Sequence, residues 1–224
     1  MKLSAILRQM QEIGNEHLDA MGYTRDVLLG KNYAFLLSKL EVFVTGGLPK
    51  CSDKLLQRTA PKKPKGPFFY RDIDFISKAD GKELVSAHTA WVLANPETHQ
   101  IIRPNKAELP MDYDENTDYS IGGYRPARPE NLEVLGERTI RYTDIDYNQH
   151  LNNAVYADII MDLLPASLLD ERQLREFRIF FHNEAFLGDT LTVSATQMDP
   201  ETGEIQLCGE KPDGAVCFLC MLRL

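Results

Sequence analysis

Asp146, Asn148 and His150 stand at alternate positions in Asp146-Tyr147-Asn148-Gln149-His150, and Asn152-Asn153 follow at once. On an extended chain alternate side chains point one way, so the spacing predicts that a carboxylate, an amide and an imidazole converge. A carboxylate there can serve as a general base or as a nucleophile. An amide both donates and accepts, so it can orient a water or a carbonyl. An imidazole can hold either partner in place or shuttle a proton. Asn152 and Asn153 are helix-capping types, and the apolar run behind them predicts a helix over 153–164. Backbone N–H groups at a helix start favour negative charge. Donors of this kind near Asn152 and Asn153 would each stabilise an oxyanion by roughly 3 kcal/mol.

Positioning these groups requires a rigid frame, and the chain spells one out twice. Apolar residues at helical spacing (Ile6, Met10, Ile13, widened by Leu3, Leu7 and Leu18) predict a first helix over 3–21, ended by Gly22. Strands are expected at 33–45, 54–59, 68–77 and 84–93, with a hairpin turn at Asp80-Gly81. The prolines of 61–67 exclude that stretch from a central strand. From 95 to 135 prolines and acids predominate, which reads as a crossover linker. The second half repeats the order: a strand at 137–142, the helix at 153–164, then strands at 177–183, 190–197, 204–209 and 215–224. The second helix is apolar almost all round, with only Asp158 and Asp162 as a polar stripe, so it must be buried. A curved antiparallel sheet wrapped round one central helix satisfies this, and the repeat of element order predicts two such units in tandem.

Composition narrows the setting. The chain has 224 residues, 43% of them hydrophobic and 26% charged, the balance of a globular protein. No apolar run is long enough to span a membrane. The first residues carry no secretory signal, and four cysteines in this length do not read as a disulfide framework, so a reducing cytoplasm is expected. A net charge of −8 argues against nucleic acid as a partner. Lys54, Arg58, Lys62, Lys63, Lys65 and Arg71 nevertheless form an acid-free basic stretch.

Asp146-x-Asn148-x-His150-x-Asn152-Asn153, with Tyr156 three further on, resembles the signature of acyl-acyl-carrier-protein thioesterases, which are built from two tandem hotdog domains. The likeness extends to Leu3–His17, Phe35–Phe43, Phe69-Tyr70-Arg71-Asp72, Thr89–Leu93 and Phe181–Ala185. It implies an α+β fold with an N-terminal hotdog over 1–104, a crossover linker over 105–135 and a catalytic hotdog over 136–224. It implies Glu184 as a further catalytic carboxylate, and two neighbouring carboxylates raise one pKa, which suits a general base. It implies an acyl tunnel in the first half, for which His17, Phe35, Phe43 and Trp91 are candidates, and acyl carrier protein as the partner. Arg58, Lys62, Lys63 and Lys65 are the expected dock for that acidic carrier. The family pattern has a strand before its first helix. This chain starts within the helix region, so the expectation is either that the sequence is truncated or that the first sheet lacks an edge strand.

The activity expected is hydrolysis of fatty acyl-carrier thioester to free fatty acid. The rivals are an acyl-CoA thioesterase on the same fold and a non-catalytic acyl-binding protein. A hotdog dehydratase is disfavoured, since its His-Phe-Pro run is absent. No metal or organic cofactor is expected, because water and carboxylates suffice. Cys217 and Cys220 lie three apart on a strand and so face opposite ways. A tandem of two units mimics a dimer, which leaves a further homodimer open.

Overall fold

The computed structural model describes residues 2–114, 121 and 126–224. The first half runs α1 (Leu3–Ala20), α2 (Arg25–Gly30), β1 (Ala34–Val44), β2 (Leu55–Lys65), β3 (Phe68–Ser77), β4 (Glu83–Ala94) and the short β5 (Ile101–Ile102). The second runs β6 (Glu133–Thr139), α3 (Val155–Leu163), α4 (Ala166–Glu171), β7 (Glu176–Phe181), β8 (Thr190–Ala195), β9 (Glu204–Glu210) and β10 (Val216–Arg223). The duplicated element order is present. The two six-residue helices, α2 and α4, are too short for periodicity to reveal. Thr24 caps α2 by accepting from the Val27 N–H at 3.4 Å.

All the long strands join one antiparallel sheet in the order β2-β3-β4-β1-β7-β10-β9-β8-β6, with β5 beside β4. The halves meet where β1 pairs with β7, Lys39 opposite Phe180 through Phe43 opposite Glu176. Helices α1 and α3 lie against one face and touch each other. Helix α3 buries Val155, Tyr156, Ala157, Ile159 and Ile160. Tyr156 stands edge-on to both Phe181 (5.2 Å) and Phe218 (5.5 Å). Burying each large apolar side chain contributes about 1.5–3 kcal/mol, so α3 is the anchor of the second half.

One sequence expectation needs correction here. Strand β2 does not stop at Thr59 but runs on to Lys65, through Pro61 and Pro64. It can do so because it is an edge strand, where a missing N–H costs no ladder bond. That edge is not bare either: the Asp114 N–H donates to the Pro61 carbonyl at 2.8 Å, so the crossover segment lies against it.

Strand β1 carries a bulge between Leu37 and Lys39. An inserted residue shifts the side-chain alternation. Phe35 and Leu37 therefore share a face with Leu40 and Val42, while Glu41 and Phe43 point to the other face.

That other face carries a row of charges across seven adjacent strands. Lys62 pairs with Asp72 (2.7 Å), and Asp72 with His88 (2.7 Å). Glu41, opposite His88 in the register, pairs with Arg178 (3.5 Å), and Arg178 pairs with Glu176. Glu176 pairs with Arg223 (3.1 Å), and Arg223 with Glu204 (3.1 Å). Glu41 is 1% exposed, and burial pushes its carboxyl pKa up.

Burial alone would lower the His88 pKa, but the hydrogen-bonded Asp72 carboxylate lifts it above its ordinary value of 6.5. A raised histidine pKa adds stability that is complete below the unfolded value and fades as pH rises through the folded one. Denaturant melts of wild type and His88→Gln should therefore differ most near ~pH 5.5 and converge towards ~pH 8.5. A constant difference would assign the effect to packing alone.

Candidate active site

The segment from Asp146 to His150 is not extended. Ile145 pairs with Leu151, the Asp146 N–H donates to the His150 carbonyl at 2.9 Å, and the Gln149 N–H donates to the Asp146 carbonyl at 3.0 Å. Gln149 takes φ = 67°, closing a tight turn. The Asp146 Oδ1 accepts from the Asn148 N–H (2.8 Å) and the His150 N–H (3.4 Å). The three predicted side chains thus do not converge by strand alternation. Asp146 ties the turn together, Asn148 is exposed at its tip, and His150 lies at its end, half-buried.

A second segment completes the arrangement. The Leu151 N–H donates to the Ala185 carbonyl at 2.8 Å, and His150 forms a bridge with Phe186. This lateral pairing brings Glu184 beside the imidazole, with Oε1 3.3 Å from His150 Nδ1. The Phe186 ring meets the imidazole edge-on at 5.0 Å and fixes its plane. The side chains of His150 and Glu184 are 31% and 39% exposed, so the pair opens to solvent.

The turn is held from below by Asp144. Its buried carboxylate accepts the Arg141 N–H (2.8 Å) and pairs with Arg138 (3.1 Å), while its carbonyl accepts the Asn152 N–H (2.9 Å). Asn152 Oδ1 in turn accepts the Ala154 N–H at 2.9 Å, and its carbonyl accepts the Val155 N–H at 2.9 Å. Asn152 thus closes a turn ahead of the helix, whose N-cap position, Ala154, has no side-chain cap, and α3 starts two positions later than predicted. Asn153 faces a cavity instead.

That cavity lies between α1, the inner face of β1 to β4 and the crossover segment. Leu7, Met10 and Leu18 line it from α1, Leu37 and Leu40 from β1, and Ile73 from β3; Asn153 and Ala154 meet it at the start of α3. Of the four predicted tunnel residues, Phe35 and Trp91 line it. Phe43 does not: the β1 bulge turns it to the charged face, against His88 and Arg178. His17 stands behind the wall, with Nδ1 accepting from Arg71 Nη1 at 2.9 Å.

Arg71 is a residue the sequence reading missed. It belongs to the basic stretch, but it shares one strand face with Phe69, Ile73 and Phe75 and so points inward. It is 8% exposed, lines the cavity, and donates to Thr59 Oγ1 at 3.0 Å. Burial pushes its pKa down to about 10. Burial first, and the Arg71 charge second, lower the His17 pKa, in keeping with a neutral acceptor ring. The rest of the basic stretch also changes meaning. Lys62 is 3% exposed and bound to Asp72, so it offers no docking charge. Arg58 is exposed but chelates Asp74 (2.8 Å). Lys63 and Lys65 are exposed.

Comparison with known proteins agrees with this layout. Residues 1–107 match the family model of the acyl-ACP thioesterase N-terminal domain, and residues 130–211 that of the C-terminal domain. A palmitoyl-acyl carrier protein thioesterase of Cuphea hookeriana is 22% identical over 219 residues, covering 90% of this chain and 51% of that protein. An oleoyl-acyl carrier protein thioesterase of Arabidopsis thaliana is 23% identical over 217 residues, covering 87% and 58%. The chain thus spans roughly half the length of these curated relatives. Among solved structures, an acyl-ACP thioesterase from Bacteroides thetaiotaomicron superposes with a TM-score of 0.85 at 23% identity, covering 100% of this chain and 89% of that one. The 12:0-ACP thioesterase from Umbellularia californica gives 0.82 at 16% identity with the same coverage. Matched at both its domains and along its whole fold, the chain belongs to the acyl-ACP thioesterase family as a tandem of two hotdog units.

Proposed function

We propose that this protein hydrolyses the thioester of a fatty acyl chain held on acyl carrier protein. The observation that carries the reading is the His150–Glu184 pair at 3.3 Å, open to solvent on the turn that leads into α3, where the apolar cavity also ends. The acyl chain lies in the cavity of the first half, and its carbonyl reaches the start of α3. Glu184 accepts the Nδ1–H of His150, which leaves Nε2 to take a proton from water. The water oxygen adds to the carbonyl carbon, the C–S bond breaks, and the proton passes to the departing thiolate. The Ala154 and Val155 N–H groups are already taken by Asn152. The oxyanion is therefore met by the Asn153 side-chain amide and the positive end of α3. Asn148, at the tip of the turn, meets the water or carbonyl from outside. Asp146 acts by holding the turn.

Exposed Tyr142, Tyr147, Phe186 and Leu187 lie on the segments that flank the pair and offer a carrier apolar surface beside the thioester. Lys63 and Lys65 add positive charge elsewhere on the same half as the cavity. The four free thiols, three of them buried, support a reducing compartment such as the cytoplasm.

The test compares one acyl group on acyl carrier protein and on CoA. The carrier-bound substrate should be favoured by about tenfold or more in kcat/KM, since it adds protein contacts to the same chemistry. Equal values would favour the acyl-CoA reading. Binding of free fatty acid without hydrolysis of either thioester would favour an acyl-binding protein.

A further inference from the structure

We propose that the segment from Ala107 to Tyr113, which the sequence reads as a linker, is the wall of the cavity that sets acyl chain length, with Met111 as the deciding side chain. The inference rests on the acyl-binding part of the reading above.

Exposure along this segment alternates strictly. Ala107, Leu109, Met111 and Tyr113 turn inward, while Glu108, Pro110, Asp112 and Asp114 face solvent. A period of two marks an extended chain with one buried face. Leu109 is 4% exposed and packs with Leu28, Phe69 and Leu93. Met111 and Tyr113 line the cavity.

The strap is fastened along its length. The Glu108 N–H donates to the Tyr33 hydroxyl at 3.4 Å, and the Tyr23 hydroxyl donates to the Pro110 carbonyl at 2.6 Å. The Asp114 N–H donates to the Pro61 carbonyl at 2.8 Å, on the outer edge of β2. Pro110 fixes its own backbone φ, so the strap has little freedom between these ties.

Its position bears on length. The cavity follows α1 from Leu7 to Leu18, eleven residues on, about 16 Å of helix. Ala154, at the start of α3, packs in the cluster of Leu7, Met10 and Leu40. Met111 packs in a separate cluster with Phe35, Phe69 and Trp91. The strap thus faces a part of the cavity removed from the carbonyl end. Methionine, unbranched and with three rotatable bonds, yields space readily, so its size governs what fits.

The experiment measures hydrolysis of carrier-bound chains from octanoyl to stearoyl, and equilibrium binding of the free fatty acids, for wild type, Met111→Ala, Met111→Trp and Tyr23→Phe. Met111→Ala should move the preferred length upward and Met111→Trp downward, each changing the ratio of long- to short-chain kcat/KM by about tenfold. Tyr23→Phe, which only unfastens the strap, should broaden the profile, and it remains informative where a Met111 variant folds poorly. Length profiles that superimpose on wild type in both assays would overturn the proposal. If no variant hydrolyses any carrier-bound chain while the binding profiles still shift, the strap stands and the catalytic reading falls.

Discussion

Replacing Glu184 by Gln is expected to lower kcat by roughly two to four orders of magnitude with little change in KM. The substitution keeps the shape and leaves an amide oxygen within reach of His150 Nδ1, now 3.3 Å from the carboxylate. In the proposed mechanism it removes the negative charge that stabilises the imidazolium formed when water gives up its proton. Asp146→Asn separates the two carboxylates. The Asp146 Oδ1 accepts backbone N–H groups from Asn148 and His150, a task an amide oxygen also performs. That variant should keep the turn and lose much less activity. Asp146→Ala should lose the turn, and most of the activity with it. Steady-state kinetics on the carrier-bound substrate decides the matter. If Asp146→Asn is as damaging as Glu184→Gln while the melting temperature is unchanged, Asp146 takes a direct part in the chemistry and the assignment made here is wrong.

Replacing Arg178 by Met should have the largest effect on stability. Arg178 lies on β7 at the pairing of the two halves and reaches back to Glu41 on β1 as well as to Glu176 on its own strand. The side chain of Glu41 is 1% exposed and that of Glu176 6%. Removing one member of a buried pair leaves the other charged and uncompensated, at a cost of about 3–5 kcal/mol. In a chain of this size that is a fall in Tm of about 10 °C. The further change Glu41→Leu should recover most of the loss, because Glu176 keeps Arg223 at 3.1 Å. Acid should also reduce the deficit. Burial already raises the Glu41 pKa, so the folded variant takes up a proton there before the unfolded chain does. A loss of stability independent of both Glu41 and pH would locate the effect in the contact between Arg178 and Phe43 instead.

The sequence displayed the frame better than the site. Helix α3 is legible because it is apolar all round except for Asp158 and Asp162, and β3 because Phe69, Arg71, Ile73 and Phe75 alternate with Tyr70, Asp72 and Asp74. The β1 bulge had no signal, since Ser38 is neither glycine nor proline, and it alone misplaced Phe43. The turn at Asp146 was misread because the αL position falls on Gln149, a residue that gives little warning of it. The carboxylate that closes the turn acts through local backbone bonds, which compete with an extended chain. Lys62 was misplaced because its partner, Asp72, belongs to the neighbouring strand, and side-chain pairing across strands is not written in either strand alone. The His150–Glu184 contact joins residues 34 apart through a pairing of loops, and only the resemblance to a family pointed to it.

The pairing of β1 with β7 has a consequence for measurement. Phe35 and Leu40, which line the cavity, lie on β1; Glu184 follows β7 by three residues. Both strands are neighbours in one continuous sheet, clamped by backbone bonds and by the Glu41–Arg178 contact. A gauge reads true only when its zero and its stop are cut in the same piece of metal. On the proposed reading, the cleavage point that follows β7 and the β1 side of the acyl cavity belong to one sheet, so the two halves could shift against each other, and blur the length that is read, only by breaking the β1–β7 ladder.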